Sequence, residues 1–199
     1  ESGSERTYTL HIKKDGADYT LPQTPAAYQA GELAAYARKL AVGYQHSLVL
    51  KKDGTVAAWG SNSYGECGVP YGLNNVAAMA AGDRHSLVLK IDGTVVAWGD
   101  NEYGQCDVPA GLGEVADISA GRYFSAALDK NGEVVAWGDN SEGQCDVPVG
   151  LNDVADIQCG FAFMLALKAD GTVVAWGDNR CGQCDVPAGL SGVVAVAAG

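Results

Sequence analysis

Short runs of apolar residues interspersed with polar ones, each ended by Asp-Gly or Asn-Gly, form the clearest pattern along this chain. Residues 85–90 run up to one such turn, and the Val-rich run 94–98 follows it. Asp-Gly and Asn-Gly supply the positive φ angles that tight hairpin turns require. The pattern therefore predicts a β-hairpin. Its five turns are Asp15-Gly16, Asp53-Gly54, Asp92-Gly93, Asn131-Gly132 and Asp170-Gly171.

The hairpins belong to a longer unit that recurs every 39 residues without drift. Tryptophan, proline, glycine and cysteine each return at this spacing. A fixed period of this length is the signature of a repeat architecture. The recurring positions are Trp59, Trp98, Trp137 and Trp176; Pro70, Pro109, Pro148 and Pro187; Gly43, Gly82, Gly121, Gly160 and Gly199; and Cys67, Cys106, Cys145 and Cys184.

The remainder of each unit predicts its strand arrangement. After the tryptophan come Gly, Asp or Ser, and Asn, then Gly-Gln/Glu-Cys and Val-Pro, which is typical of a loop with a short outer strand. A small-residue strand such as 115–120 follows and suits a crowded inner position. Each unit is thus expected to hold four antiparallel strands: inner, second, third and outer. Gly-rich, all-β units of this size stack radially as the blades of a β-propeller.

We expect one propeller domain over residues 1–199, with full repeats at 43–81, 82–120, 121–159 and 160–198. Residues 8–21 align with the hairpin of the first repeat at an offset of 38 and read as a degenerate fifth copy, after a frayed end at 1–6. Residues 22–42 depart from the pattern. They predict an irregular or helical insertion that ends in an inner strand at 37–42.

The two chain ends suggest how the fold closes. The last predicted strand, 193–199, has no hairpin after it, and the first hairpin has no inner strand before it. We expect them to pair and to close a ring of five blades, which removes exposed sheet edges. The closed ring would be a monomer. The alternatives are a dimer of open arcs and a fragment of a longer ring.

Composition narrows the class of partner. The chain has 199 residues, 47% of them hydrophobic, and a net charge of −11. Nucleic acid is excluded as a partner because phosphate binding needs a basic footprint. No run of 18 apolar residues indicates a membrane span, and no signal peptide is recognisable. A neutral or basic protein surface is the expected partner.

The sequence contains no recognisable catalytic, metal or cofactor motif. The repeated cysteines are expected to be small buried hydrophobic residues, and a lone Cys181/Cys184 pair is too little for a zinc or redox site. His46 and His85 share a repeat position with Phe124 and Phe163, which argues against catalysis there. The repeated Asp-Asn pairs are expected to fix turns, and the tryptophans to pack between units. Paired carboxylates stay possible, since acidic residues are plentiful.

The run from His85 to Gln105 resembles the regulator of chromosome condensation repeat. Within that family, the Gly-Gln-Cys-Asp-Val-Pro segments resemble the bacterial branch, which includes a propeller-type β-lactamase inhibitor. The resemblance covers residues 43–199 strongly and 8–21 weakly. It implies a propeller, usually of seven blades, that binds other proteins through its rim loops. It also favours a bacterial protein that is secreted or at the cell surface.

Two loops of each unit are expected on the same face, because the strands alternate in direction: inner to second, and third to outer. These loops vary most between copies, which is how repeat proteins present a binding surface. Tyr, Phe and Arg are enriched in binding hot spots. The predicted partner-binding residues are Tyr44, Tyr64, Arg84, Tyr103, Arg122, Tyr123, Phe161 and Arg180.

The sequence therefore predicts a non-enzymatic, protein-binding propeller. A carbohydrate-binding propeller is an alternative, although the variable loops do not repeat one aromatic and polar set in every unit. Nucleotide exchange on a small GTPase is implied by the family's eponymous member, but no specific residues carry it here. Because the copies are nearly identical, a further alternative is a structural or designed repeat module that has no ligand.

Overall fold

The structure is a computed structural model that describes the backbone of residues 11–14 and 17–20 and the whole of residues 40–199. The chain divides into two compact units, Glu1–Tyr36 and Ala37–Gly199. In the first unit, β1 (His11–Lys14) pairs antiparallel with β2 (Ala17–Thr20), so the predicted hairpin is present. The predicted frayed end at 1–6 and the insertion at 22–39 lie outside the described residues.

The second unit contains four three-stranded antiparallel sheets, one for each full repeat. We call them blades 1 to 4, and in each the second strand lies between the inner and third strands. Inner strands of adjacent blades contact one another. The strands are β3 (Leu40–Val42), β4 (His46–Leu50) and β5 (Val56–Gly60) in blade 1; β6 (Val76–Ala81), β7 (His85–Lys90) and β8 (Val95–Gly99) in blade 2; β9 (Val115–Ala120), β10 (Phe124–Asp129) and β11 (Val134–Gly138) in blade 3; and β12 (Val154–Cys159), β13 (Phe163–Lys168) and β14 (Val173–Gly177) in blade 4.

The hairpin turns of blades 1 to 4 form as their sequences require, and Asp15-Gly16 lies outside the described residues. In blade 2, Gly93 has a φ of +84°. The Gly93 amide donates to Lys90 O at 2.9 Å, and the Lys90 amide donates to Thr94 O at 2.8 Å. Asp92 Oδ1 accepts the Thr94 amide at 3.0 Å. The Asp-Gly pair thus sets both the backbone conformation and the side-chain bond that close the hairpin.

The prediction of a fourth, outer strand is wrong, because each blade has three strands among the described residues. The loop after the third strand satisfies its own backbone instead. Asn101 Oδ1 accepts the Cys106 amide, and Asn101 Nδ2 donates to Asp107 Oδ1, both at 2.8 Å. Cys106 Sγ donates to Asp100 O at 3.2 Å. Groups already paired inside a turn are not available to a neighbouring strand.

The contacts of the same loop show that the repeated cysteines have a different role from the predicted one. Cys67, Cys106, Cys145 and Cys184 are half-buried rather than fully buried. Each Sγ donates to the carbonyl at the start of its loop, at 2.9 to 3.3 Å. The thiols therefore help to lock the turn, as the Asp-Asn pairs were expected to do.

The core lies between adjacent blades. Each of three clusters combines side chains of one blade with the inner strand, second strand and tryptophan of the next. Trp98 Nε1 also donates to Glu66 O at 3.0 Å, and Trp137 and Trp176 repeat this bond to Gln105 O and Gln144 O. Trp98, Trp137 and Trp176 thus pack between blades, as predicted, and also tie each blade to the preceding loop, whereas Trp59 is 53% exposed at the edge of blade 1.

The C-terminal segment differs from its prediction. Residues 193–199 form no strand, although the equivalent segments of the other repeats are β6, β9 and β12. Five blades and closure of the ring by the chain ends are therefore not confirmed. Within the described ranges, no helix has the length and apolarity that a membrane span requires.

Candidate functional site

The two variable loops of each blade lie at the same end of its sheet, because three antiparallel strands place them there. Hydrogen bonds join these loops directly. The Asp100 amide donates to Arg84 O, and the Asp139 amide donates to Tyr123 O, both at 2.9 Å. The positive φ of Gly99, +110°, lets the chain pass close to the first loop at this point. A fixed framework thus holds both loops in place.

Six of the eight predicted site residues form one continuous row across the four blades, which we call the aromatic–arginine row. Its members are aromatic rings and guanidinium groups in contact with one another. The Arg84 guanidinium lies 4.2 Å from the Tyr64 ring centroid and 5.6 Å from that of Tyr123. The row consists of Tyr64, Arg84, Tyr103, Tyr123, Arg122 and Phe161.

The second half of the row is equally close-packed. Tyr103 and Tyr123 stack with their centroids 5.0 Å apart. The Arg122 guanidinium lies 4.6 Å from the Tyr123 ring centroid and 4.3 Å from that of Phe161. Arginine over an aromatic face is attracted by the ring quadrupole, about 0.5–1 kcal/mol at exposed sites. The row therefore holds its side chains in defined positions through their contacts with one another.

Backbone bonds between blades fix the loops beneath the row. The Arg122 amide donates to Phe161 O at 3.1 Å, and the Asp83 amide donates to Arg122 O at 3.3 Å. Blades 2, 3 and 4 are thus joined at this end by their main chains. The side chains of the row start from connected backbone rather than from separate mobile loops.

Asp83 is a member of this surface that the sequence analysis did not select. Its Oδ2 lies 3.4 Å from Arg122 Nε. Burial raises the pKa of the Asp83 carboxyl, while Arg122 and Arg84 act to lower the same pKa. Its position next to Arg84 in a variable loop is the sequence feature by which Asp83 could have been selected. A carboxylate between two arginines fixes the Arg122 side chain in place.

Arg180 is separate from the row. Its guanidinium donates to Asp178 Oδ1 at 2.9 Å and to Asp178 Oδ2 at 3.0 Å. A second contact joins it to Glu142 Oε1 at 3.3 Å. The hydrogen bonds from Arg180 lower the pKa of Asp178, and that carboxylate raises the pKa of Arg180. Arg180 therefore links blades 3 and 4 through carboxylates, and Glu142 is another residue that sequence reasoning did not select.

Tyr44 lies at the rim of a central cavity of about 330 Å³. The cavity is formed where the four inner strands end, and the five repeated glycines line it beside Asp83, Arg122 and Phe161. Tyr44 is 74% exposed and makes no ring contact with the described residues. The row and the cavity share two residues, so they form one continuous surface.

Burial shifts the pKa values of His85 and of two repeated cysteines so that their uncharged forms are favoured. Burial lowers the pKa of His85 to about 4, so the ring is neutral at neutral pH. Burial raises the pKa of Cys106 to about 11 and that of Cys145 to about 12. Thiols with such values stay protonated and unreactive. Among residues 40–199, no three His, Cys, Asp or Glu side chains converge as a metal site requires.

Comparison with protein families finds a match to four segments of the chain. The family described as "Regulator of chromosome condensation (RCC1) repeat" matches residues 37–66, 76–105, 115–144 and 154–183. Each match begins just before or within an inner strand and ends at the Gly-Gln/Glu segment of the following loop. No curated protein matches the chain at a significant level.

Solved structures share the fold. Prp20p from Saccharomyces cerevisiae is 27% identical with a TM-score of 0.64, covering 74% of this chain and 46% of that one. The ectodomain of the Arabidopsis thaliana receptor kinase ACR4 is 26% identical with a TM-score of 0.59, covering 71% and 56%. Human WBSCR16 is 24% identical with a TM-score of 0.62, covering 71% and 48%, and shows the fold alone. The chain thus spans about half the length of these proteins.

The yeast protein is itself a protein binder, since its structure is reported together with its binding to Gsp1p and histones. A further structure holds the same yeast protein with Kap60. These matches do not show a bacterial branch or a likeness to a β-lactamase inhibitor, so the resemblance is confirmed at the level of the repeat family.

Proposed function

The chain belongs to the regulator of chromosome condensation repeat family, and from that premise we propose that it is a non-enzymatic scaffold that binds another protein. The yeast relative's binding of other proteins supports the class of function. The partner would contact the aromatic–arginine row and the rim of the central cavity. Of the other two predicted residues, Tyr44 belongs to that rim, and Arg180 lies in the second variable loop of blade 4.

The observation that carries this proposal is the continuity of the row across all four blades. Within 40–199, the Arg84 guanidinium forms no hydrogen bond or ion pair, so its N–H donors are available to a partner. Tyrosine, phenylalanine and arginine held rigidly in one surface lose little conformational entropy on binding. The row therefore has the composition and the rigidity of a binding hot spot.

Charge limits the kind of partner. The chain carries a net charge of −11, so a neutral or basic protein surface is favoured overall. Three arginines nevertheless lie on the proposed face, in or beside the row. A carboxylate of the partner against Arg84 would fit an otherwise neutral or basic surface. A ligand of this kind differs from nucleic acid, which the net charge disfavours.

The test is capture of partner proteins by three versions of the immobilised chain. A face variant carries Arg122→Ala, Tyr123→Ala and Phe161→Ala. A matched control carries Lys52→Ala, Ile91→Ala and Lys130→Ala, exposed residues beside the hairpin turns at the opposite end of the sheets. Circular dichroism checks that each version is folded.

Proteins captured by the wild type and the control, and at least tenfold depleted with the face variant, would support the proposal. Equal capture by all three versions would show that the face is wrong. Equal loss with both variants would also count against it, because the effect would then not be specific to the row.

The four blades can be completed to a closed propeller in more than one way. In one form, residues 193–199 pair with the β1–β2 hairpin and close a ring of five blades as a monomer. In the other forms, the four-bladed unit is part of a larger ring, made by a second chain or by a longer protein. The mass of the protein in solution separates the monomer from an assembly of chains.

A further inference from the structure

The outer edges of blades 1 and 4 expose residues that are buried at every junction between blades. Trp59 is 53% exposed, whereas Trp98, Trp137 and Trp176 are each 8% exposed. Leu40 is 56% exposed, whereas its repeat equivalents Met79, Ile118 and Ile157 are at most 6% exposed. Val49, half-buried, is equivalent to the buried Val88, Ala127 and Ala166. We call Leu40, Val49 and Trp59 the leading edge.

Blade 4 exposes the opposite half of the same contact. Its residues Leu165, Val173, Val186 and Leu190, here called the trailing edge, are partly or largely exposed. The equivalent residues of blade 1 are Leu48, Val56, Val69 and Leu73, and all four pack in one cluster with Met79, Val88 and Trp98 of blade 2. The leading edge of one blade therefore fits the trailing edge of another, as all three internal junctions demonstrate.

The hydrogen-bonding groups at the two outer edges are complementary in the same way as the apolar side chains. At the internal junctions the tryptophan Nε1 donates to the main-chain carbonyl of Glu66, Gln105 or Gln144. Those three side chains are at most 2% exposed, whereas the equivalent Gln183 of blade 4 is partly exposed. Neither Trp59 Nε1 nor Gln183 O has a hydrogen-bond partner in the described part of the chain. The leading edge lacks an acceptor, and the trailing edge lacks a donor.

We propose that the leading edge of one copy of this chain docks on the trailing edge of a second copy. The contact would repeat the internal junctions, with Trp59 donating to Gln183 O and packing against Leu190. Two copies joined at both edges leave neither edge open, which gives a closed head-to-tail pair. Such an interface is heterologous, and it closes only if the rotation between copies completes a ring.

The sequence of the N-terminal segment favours a second copy over residues 1–36 as the occupant. In the degenerate repeat, Leu21 stands at the position of the tryptophan and cannot donate to Gln183 O. The segment after it lacks the Gly-Gln-Cys sequence whose carbonyl would accept from Trp59. The degenerate repeat thus lacks both halves of the junction, whereas a second copy supplies both.

Sedimentation equilibrium of the full chain tests the proposal. The expected mass is twice the single-chain value of 20.5 kDa. Trp59→Glu places a charge in the leading edge, and Leu190→Glu places one in the trailing edge. Each variant alone is expected to sediment as a single chain, with the dissociation constant raised at least 100-fold. Val149→Glu is the matched control, because Val149 is fully exposed away from both edges, and it should keep the doubled mass.

Mixing the two variants tests the head-to-tail direction. The Trp59→Glu chain retains a trailing edge and the Leu190→Glu chain retains a leading edge, so an equimolar mixture can form one intact junction. The mixture should therefore regain the doubled mass at a higher protein concentration than the wild type needs. A symmetric contact between two leading edges would instead leave Leu190→Glu paired on its own.

Circular dichroism of every variant checks that blades 1 to 4 remain folded. A wild type that sediments as a single chain at all concentrations would overturn the proposal. If acrylamide then failed to quench Trp59 fluorescence, residues 1–36 would be the occupant of the edge. Efficient quenching would instead leave further repeats of a longer protein as the occupant. A doubled mass that neither edge variant reduces would overturn the proposal as well.

Discussion

The junctions between blades use two different chemistries at the same position. Between blades 1 and 2, His46 Nε2 lies 2.9 Å from Ser86 Oγ, and between blades 2 and 3, His85 Nε2 lies 3.0 Å from Ser125 Oγ. Because Ser86 Oγ donates to Glu66 O, its lone pair is left to accept the histidine N–H. Between blades 3 and 4, Phe124 and Met164 occupy these positions in one apolar cluster.

The difference teaches that both members of the pair change together while the backbone does not. His85 and Phe124 are both fully buried, and each ring lies against the repeated glycine that precedes it, Gly82 or Gly121. A Cβ on either glycine would overlap the ring. A polar pair joins the histidine Nε2 to the serine hydroxyl, and an apolar pair fills the same space, but a mixture leaves that buried polar group without a partner.

The largest expected effect comes from mixing the two chemistries. Phe124→His places a histidine against Met164, whose thioether is only a weak acceptor. We expect the free energy of unfolding to fall by about 3 kcal/mol, from the unsatisfied donor and the lost apolar burial. Urea denaturation followed by circular dichroism measures the change.

The rescue variant shows whether pairing is the cause. Adding Met164→Ser to Phe124→His recreates the histidine–serine pair, with Gln144 O in the place that Gln105 O holds for Ser125. The double variant should recover at least about half of the loss, as a coupled pair does in a double-mutant cycle. Losses that simply add would show that the two positions act independently.

The polar junctions should also make stability depend on pH. Burial lowers the pKa of His85 from 6.5 to about 4. The unfolded chain therefore binds a proton that the folded chain does not, and unfolding is favoured as the pH falls from 6.5 to 4. The expected loss from His85 alone is about 3 kcal/mol, at about 1.4 kcal/mol per pH unit. Burial lowers the pKa of His46 too, so His46 adds a loss of the same sign.

A variant with the apolar pair isolates the contribution of His85. His85→Phe with Ser125→Met copies the Phe124 and Met164 junction, so the wild type and the variant should differ in stability by an amount that changes between pH 6.5 and 4. Above pH 6.5 that difference should be constant. Urea titrations at each pH supply the curve, and parallel curves across the whole range would refute the assignment.

The smallest effect compares a covered tryptophan with an uncovered one. Trp98→Phe removes the bond to Glu66 O and part of a buried side chain, which we expect to cost about 2 kcal/mol. Trp59→Phe should change the stability by less than about 0.5 kcal/mol, since Trp59 is half exposed. Both substitutions should be made in the Leu190→Glu variant, because that variant is expected to prevent association of two chains. Equal losses would mean that Trp59 is covered by its own chain.

The sequence was sufficient for the parts of the fold that depend on local chemistry. The Asp-Gly and Asn-Gly turns, the paired flanking strands and the small-residue inner strands follow from φ preferences and from the 39-residue period. The grouping of Tyr64, Arg84 and Tyr103 at one end also followed from strand direction. Their role in binding a partner stays a prediction.

The features that the sequence did not reveal depend on which groups pair with one another across the fold. The loop after Gly99 was expected to hold a strand, but the Asn101 side chain accepts the Cys106 amide, which a strand would have paired with its neighbour. The ion pair of Arg180 with Glu142 depends on contact between repeats, which spacing within one repeat does not specify. The strand expected at 193–199 also required a partner that sequence alone cannot place.

At the internal junctions, the acceptor that holds each blade to the next is a main-chain carbonyl. Glu66 O receives both the Ser86 hydroxyl and the Trp98 indole, and Gln105 O receives both the Ser125 hydroxyl and the Trp137 indole. No side-chain substitution can delete that oxygen, so glutamate and glutamine serve there equally well. Duplicated copies can consequently diverge in their outer loops while the attachment between neighbours is inherited unchanged.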